Sequence, residues 1–265
     1  MRSALRSALR QDDRGCYDLA LQDARRSAYA PGEFVGQESF MRAGEILALA
    51  AEAGVAPGVS VLDLCCGVAG PGRFLAGELG CTYLGVDSSA GAIDLARERA
   101  GDLGCRFEVA RIPPVPAGPF DVVLLLEAML AFSDQEFLLR GVSSALAVGG
   151  RFAFTLEEGL PLTTAERRRM PNADTVWLTP LPELLSGLER AGLRVRRQKE
   201  CSESHRTMVE ALADAFAADG AEIAARLGRR ALDDLLASHR LWSDWLRTGR
   251  VRKFAIIAEK TGAGA

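Results

Sequence analysis

The stretch Val61-Leu-Asp-Leu-Cys-Cys-Gly-Val-Ala-Gly-Pro-Gly72 constrains what this chain can fold into more than any other. Two apolar residues run into Asp63, and a turn of small residues follows, carrying Gly67, Ala69, Gly70 and Gly72. Small residues let a backbone bend sharply and bring its N–H groups close to a ligand. An amphipathic helix from Arg73 to Leu79 leaves the turn, and a second strand, 81–86, ends in Asp87. Ser88 and Ser89 then offer a helix cap. A strand, a glycine turn, a helix, a strand and a terminal carboxylate make the first half of a dinucleotide-type βαβ unit. The acid at the end of the second strand suits a two-pronged grip on ribose hydroxyls.

Downstream, the pattern predicts a helix over 90–101 and a third strand over 105–109, then a proline-broken segment to Pro119. Residues 120–126 form a continuous apolar run, as expected for a central strand covered on both faces. Ser133 to Glu136 reads as a capping box opening a helix to about Leu146, and Gly149-Gly150 closes the link to a fifth strand, 151–156. An irregular stretch, 159–179, precedes a helix over 181–191 and a charged, alternating edge strand over 193–199. A helical segment, 202–248, leads to a last strand over 251–258. On its helix over 229–247, Leu232, Leu235, Leu236, His239, Trp242 and Leu246 share one face, with Leu241 and Trp245 opposite, so this helix is expected to be sandwiched. At the N-terminus, residues 1–15 are polar and Arg-rich and are expected to be poorly ordered. Helices over 16–28 and 39–53 flank a loop broken by Pro31, Gly32 and Gly36.

With 265 residues, 48% of them apolar, the chain can bury a substantial core. A net charge of −3 gives no electrostatic footprint for nucleic acid. No apolar run approaches the roughly twenty residues that span a bilayer, and the N-terminus lacks the apolar region of a signal peptide. The six cysteines form no C-x-x-C pair and read as reduced, which points to the cytoplasm. Two histidines without ligand spacing argue against a metal site.

From Asp63 the turn reads D-x-C-x-G-x-A-G, which resembles motif I of the class I S-adenosylmethionine-dependent methyltransferases, D/E-x-G-x-G-x-G. Cys65 and Ala69 stand for its first and third glycines, and Phe120-Asp-Val-Val123 resembles the family's strand four. The resemblance implies an α/β, Rossmann-like, doubly wound, seven-stranded and mostly parallel sheet whose last strand inserts antiparallel. It implies one domain over 16–260, with an N-terminal helical lid over 16–56 and a helical insertion over 202–248 before the last strand. It also implies S-adenosyl-L-methionine as cofactor and S-adenosyl-L-homocysteine as product, with Asp63, Cys65, Gly67, Ala69, Asp87, Ser88 and Glu127 as contacts. Ile112 stands where the family packs adenine, although Arg111 occupies the place of an acid often found there. Tyr29 and Gln37 are lid contacts on this reading; the alternative is an ordinary turn tyrosine and a solvated glutamine.

Three groups are candidates for a catalytic base: Glu127 after strand four, Glu157 after strand five and His205 after strand six. All fall where open α/β sheets bind ligands. A histidine titrating near its ordinary value of about 6.5 suits neutral pH, whereas a glutamate needs burial to rise from about 4.3. Adjacent strand residues face opposite ways, so only one of Glu157 and Glu158 is expected to reach the pocket. Family members acting on small molecules often carry a histidine near residue 131, where this chain has Ala131 and Phe132. The expected activity is methyl transfer to a small, fairly apolar metabolite, at oxygen, nitrogen or carbon, in natural-product biosynthesis. Two alternatives stay open: a cyclase or pericyclase that keeps the cofactor for structure, and a catalytically silent cofactor-binding partner. A homodimer is also left open.

Overall fold

The computed structural model describes residues 19–262, so residues 1–15 and the start of the helix expected from Cys16 lie outside the described residues. In chain order the elements are α1 (Leu19–Ala28), α2 (Ala43–Glu52), β1 (Ser60–Leu64), α3 (Gly70–Leu79), β2 (Thr82–Asp87), α4 (Ala90–Ala100) and β3 (Arg106–Val109). They continue with β4 (Phe120–Leu125), α5 (Gln135–Ala145), β5 (Leu146–Glu158), α6 (Thr164–Arg169), α7 (Leu181–Arg190) and β6 (Leu193–Glu200). The three helices α8 (Ser202–Ala218), α9 (Gly220–Leu227) and α10 (Arg229–Thr248) then lead to β7 (Arg252–Lys260).

The seven strands form one sheet in the order β3-β2-β1-β4-β5-β7-β6. Pairs from β3 to β5 are parallel, and β7 runs antiparallel between β5 and β6. This is the expected doubly wound sheet, and its alternation explains why both faces are covered. Leu62, Leu64, Val123, Leu125, Phe152 and Phe154 pack with Leu138, Val142, Leu184 and Leu188 of α5 and α7. Val61, Tyr83, Val122, Leu124 and Ala153 pack with Ile46, Leu75, Ile93 and Ala96 of α2, α3 and α4. Reversal of strand order at β1 opens a crevice above the C-terminal ends of β1 and β4, the usual ligand edge of such sheets.

Several boundaries differ from the sequence expectation for local reasons. Helix α2 starts at Ala43 rather than Ser39, because the Glu45 carboxylate accepts the Arg42 N–H (2.9 Å) and residues before it are held as a loop. Asp134, not Ser133, caps α5 by accepting the Phe137 N–H at 2.9 Å. Gly149 and Gly150 lie inside β5, which starts at Leu146, instead of ending a link. The stretch 159–179 contains α6, opened by a Thr163–Glu166 capping box. Arg250 hydrogen-bonds Glu166, and that bond holds the carboxyl down at about 2.

Helix α10 is sandwiched, but lengthwise rather than by opposite faces. Leu232, Leu235 and Leu236 near its start pack on α1 and α8 with Ala24, Leu212 and Phe216. Leu241, Trp242, Trp245 and Leu246 near its end pack on Leu162, Met170, Val176 and Leu178. His239 sits at the junction, edge-on to Phe40 and Phe216, with Nδ1 2.8 Å from the Leu235 carbonyl. Among the described residues no helix is long and apolar enough to cross a membrane.

Burial pushes the His239 imidazole down from 6.5 to about 4. The unfolded chain therefore takes up a proton that the folded chain refuses, and stability is lost as pH falls from about 6.5 towards 4. The steepest loss is about 1.4 kcal/mol per pH unit for one such group. Urea unfolding of wild type and His239→Gln across this range should show that extra acid slope in wild type alone. Parallel pH curves would contradict it.

Candidate functional site

Three residues in the turn after β1 adopt left-handed backbone: Cys65 (φ 59°), Gly67 (φ 55°) and Ala69 (φ 52°). Glycine takes this conformation freely, while a side chain costs about 1–2 kcal/mol there. Cys65 and Ala69 therefore make the glycine turn with small side chains, as expected, at a local cost. Gly70 and Gly72 serve a different need, which is close approach. A Cβ on Gly70 would lie 2.5 Å from the Val35 carbonyl oxygen, and one on Gly72 would lie 2.0 Å from the Tyr83 ring. The turn is thus pressed against the N-terminal loop on one side and against β2 on the other.

Tyr83 is fully buried and donates its hydroxyl to Asp63 Oδ2 at 2.6 Å. Asp63 is itself 4% exposed and borders the cleft. Burial raises its carboxyl to about 7; the Tyr83 hydrogen bond opposes this, and the charge of Asp87 adds to it. At the end of β2, the two Asp87 oxygens accept the Gly67 and Ser89 N–H groups, each at 2.9 Å. Ser89 caps α4 by accepting the Ala92 N–H at 3.1 Å.

The cleft at this edge is lined by Gly36 to Ser39 of the N-terminal loop, Asp63, Cys65 to Val68, Pro71, Asp87 and Leu126 to Ala128. Four of these residues are acids (Glu38, Asp63, Asp87 and Glu127), and among the described residues no lysine, arginine or histidine lines it. Such a site suits a ligand that carries positive charge. Gln37 lines the cleft, but its amide ties the loop together: Nε2 donates to the Glu33 and Met41 carbonyls (2.8 and 2.9 Å), and Oε1 accepts the Val35 N–H (2.7 Å). Tyr29 is buried away from the cleft lining and donates to the Ser39 carbonyl at 2.6 Å. Ser88 is exposed and Ile112 is half-buried on the core cluster that also takes Cys65; neither is among the residues that line the cleft.

Glu127 follows β4 with φ 59°, a conformation that is strained for a glutamate. Its N–H donates to Thr155 Oγ1 (2.7 Å), its Oε2 accepts the Phe40 N–H (3.4 Å), and its Oε1 lies 2.6 Å from Lys253 Nζ. Lys253 is 2% exposed and also pairs with Glu157, its cross-strand neighbour between β5 and β7. Burial works against its ammonium, yet the two carboxylates outweigh burial and hold its pKa above the ordinary lysine value. Glu157 is pushed up by burial, with Lys253 opposing. Glu158 faces the other way and pairs with Arg252, as strand alternation requires.

His205, in the first turn of α8, places Nδ1 3.6 Å from Glu127 Oε1. Burial, then the Lys253 ammonium, push its imidazole down to about 3. It is therefore neutral and a weak base, and the expectation built on histidine's ordinary value does not hold. All three candidate bases meet in one buried network, but only Glu127 reaches the cleft lining. Sequence reasoning missed Lys253. The available signal was a lysine opening the apolar run 254–258 of an inner strand, where a buried charge requires partners. Among the described residues no cluster of side chains could hold a metal ion.

Residues 61–150 match the family model described as a methyltransferase domain. The methyltransferase GfsG of Streptomyces halstedii is 31% identical over 105 residues, which cover 37% of this chain and 38% of that protein. Aklanonic acid methyltransferase DauC of Streptomyces sp. (strain C5) is 33% identical over 106 residues, covering 37% and 48%. The matched segment spans less than half of either relative. The solved structure of the [4+2]-cyclase SpnF superposes with a TM-score of 0.72 over 94% of each chain at 18% identity, a likeness of fold.

Of the two thiols that line the cleft, Cys65 and Cys66, Cys65 stands at the place of the first motif glycine. Burial pushes it up to about 12, so it is protonated at neutral pH. Iodoacetamide at pH 8 should alkylate Cys65 about a thousandfold more slowly than a free cysteine. Labelling at the ordinary rate, read by peptide mass spectrometry, would contradict this.

Proposed function

We propose that this chain, whose residues 61–150 form a methyltransferase domain of the class I S-adenosylmethionine-dependent family, transfers a methyl group to a compact, fairly apolar small molecule. One observation carries the reading: an acidic cleft at the glycine turn, bordered by Asp63, Asp87 and Glu127, with no basic side chain among the described residues of its lining; Lys253 pairs with Glu127 from behind it. A carboxyl raised to about 7 by burial, as at Asp63, fits a ligand that brings its own cation. S-adenosylmethionine carries both an ammonium and a sulfonium. Bound there, it supplies an activated methyl group.

The protein's task is then mainly alignment, and alignment can supply roughly 7–11 kcal/mol in well-ordered systems. Asp87 takes the ribose hydroxyls with the lone pairs left free by its two backbone bonds. Asp63, steadied by Tyr83, faces the ammonium. Loop residues 36–39 act as the lid over the cleft. Glu127 accepts the acceptor's proton when the nucleophile is a hydroxyl or an amine. Beside it, Phe40, Leu130 and Trp242 are half-buried on one apolar cluster, and they supply a wall for an apolar acceptor. The relative DauC, named as an aklanonic acid methyltransferase, supports a small-molecule acceptor.

Incubating the protein with methyl-tritiated S-adenosylmethionine and an apolar metabolite extract should put label into extractable product. Cofactor that stays bound, without any S-adenosylhomocysteine formed, would favour the cyclase alternative. The likeness to SpnF over 94% of both chains is the observation that keeps this alternative in view.

Asp63 also sets a pH dependence. Its free carboxyl titrates at about 7, and a cationic ligand binds the ionised form. Affinity for S-adenosylmethionine should therefore fall as pH drops below about 7, approaching tenfold per pH unit. In Asp63→Asn calorimetry should give a weak, flat profile. A flat wild-type profile from pH 8 to about 5.5 would remove Asp63 from the ammonium.

A further inference from the structure

We infer that Lys253 is a positioning residue: it fixes Glu127 in the cleft wall and, through Glu127, the loop that covers the cofactor cleft. The inference rests on the cleft being a cofactor site, but its link to the loop can be read without any ligand.

The contacts form a chain across three strands. Register places Lys253 directly opposite Glu157, and the ammonium contacts the carboxylates of both Glu157 and Glu127. On the face that carries Glu157, Thr155 accepts the Glu127 N–H. The other Glu127 oxygen accepts the Phe40 N–H, so the loop is tied to the sheet at this carboxylate. Residues 36–39, immediately before Phe40, line the cleft. Glu127 keeps its left-handed backbone because its N–H and both carboxylate oxygens are held from outside its own strand. Lys253 itself does not line the cleft, so its influence there must pass through Glu127.

Packing alone does not account for a lysine at this position. Burying an ammonium is costly, and a buried ion pair is often matched or bettered by apolar residues of similar size. An apolar side chain at 253 would fill the space, but it would leave Glu127 Oε1 without its cation. The neutral imidazole of His205, 3.6 Å away, would be its remaining polar neighbour. Lys253 thus acts on the placement of one carboxylate.

The test combines hydrogen–deuterium exchange of the ligand-free protein with calorimetric titration of S-adenosylhomocysteine. It uses wild type, Lys253→Met, Glu127→Gln and the double variant. Lys253→Met should speed exchange over residues 36–42 while leaving β1 and β2 protected, and should weaken S-adenosylhomocysteine about tenfold or more. Glu127→Gln should have the same two effects, and the double variant should be no worse than either single one, because both act through one contact. Additive losses would overturn the inference. If Lys253→Met does not fold, Lys253→Met/Glu157→Leu replaces the buried pair with apolar bulk; loop exchange and affinity like those of wild type in that variant would also overturn it. Wild type that does not bind S-adenosylhomocysteine would refute the cofactor reading, while the exchange pattern still decides the role of Lys253.

Discussion

The ring of Tyr83 occupies the space that any side chain at residue 72 would need. That contact brings the start of α3 against β2 and aims the Tyr83 hydroxyl at Asp63, at the end of β1. Forcing a methyl group into such packing typically costs about 1–3 kcal/mol. The larger consequence is geometric: a Tyr83 moved off Asp63 would leave a buried carboxylate with no hydrogen bond at the mouth of the cleft. Gly70 repeats the constraint on the other side, where it accepts the backbone of Val35 and Gly36 at close range. The turn therefore sets the distance between sheet and loop, and so the width of the cleft between them.

Electrostatics divide the molecule into two polar regions with opposite logic. In the cleft, no base among the described residues of the lining faces Asp63 or Asp87, and burial raises Asp63 to about 7. Behind the cleft, Lys253 balances Glu127 and Glu157 in a buried network, with a neutral His205 at its edge. Glu127 belongs to both regions, which is why it is the residue through which one can affect the other. The chain's two histidines are both buried and lowered, so neither supplies a cation at neutral pH.

Much of this is legible in the sequence. The apolar run at 120–125 and the glycine turn after Asp63 placed the central strands, and the charged alternation at 193–199 marked an edge. Asp87 at the end of β2 followed from the strand's length. Local competition between caps was less visible: Glu45 and Asp134 act one or a few residues from the sites that composition favoured. Register was not visible at all. Lys253 meets Glu157 only because β7 runs antiparallel beside β5, a pairing set by the whole sheet. Nor can burial of a single imidazole be read from its neighbours in sequence, and it is burial that takes His205 below the ordinary histidine range. Tyr29 and Gln37 each tie down the loop, a role no sequence pattern marks, and Gln37 also lines the cleft.

The central claim is that the cleft between loop 36–39 and the turn after β1 holds S-adenosylmethionine or its product. A crystal structure of the protein grown with S-adenosylhomocysteine tests this most directly. The account predicts density in that cleft, with the ribose hydroxyls on Asp87, the glycine-turn backbone beside the ligand and the amino group towards Asp63. Ligand density elsewhere on the molecule, or an empty cleft at saturating S-adenosylhomocysteine, would contradict it.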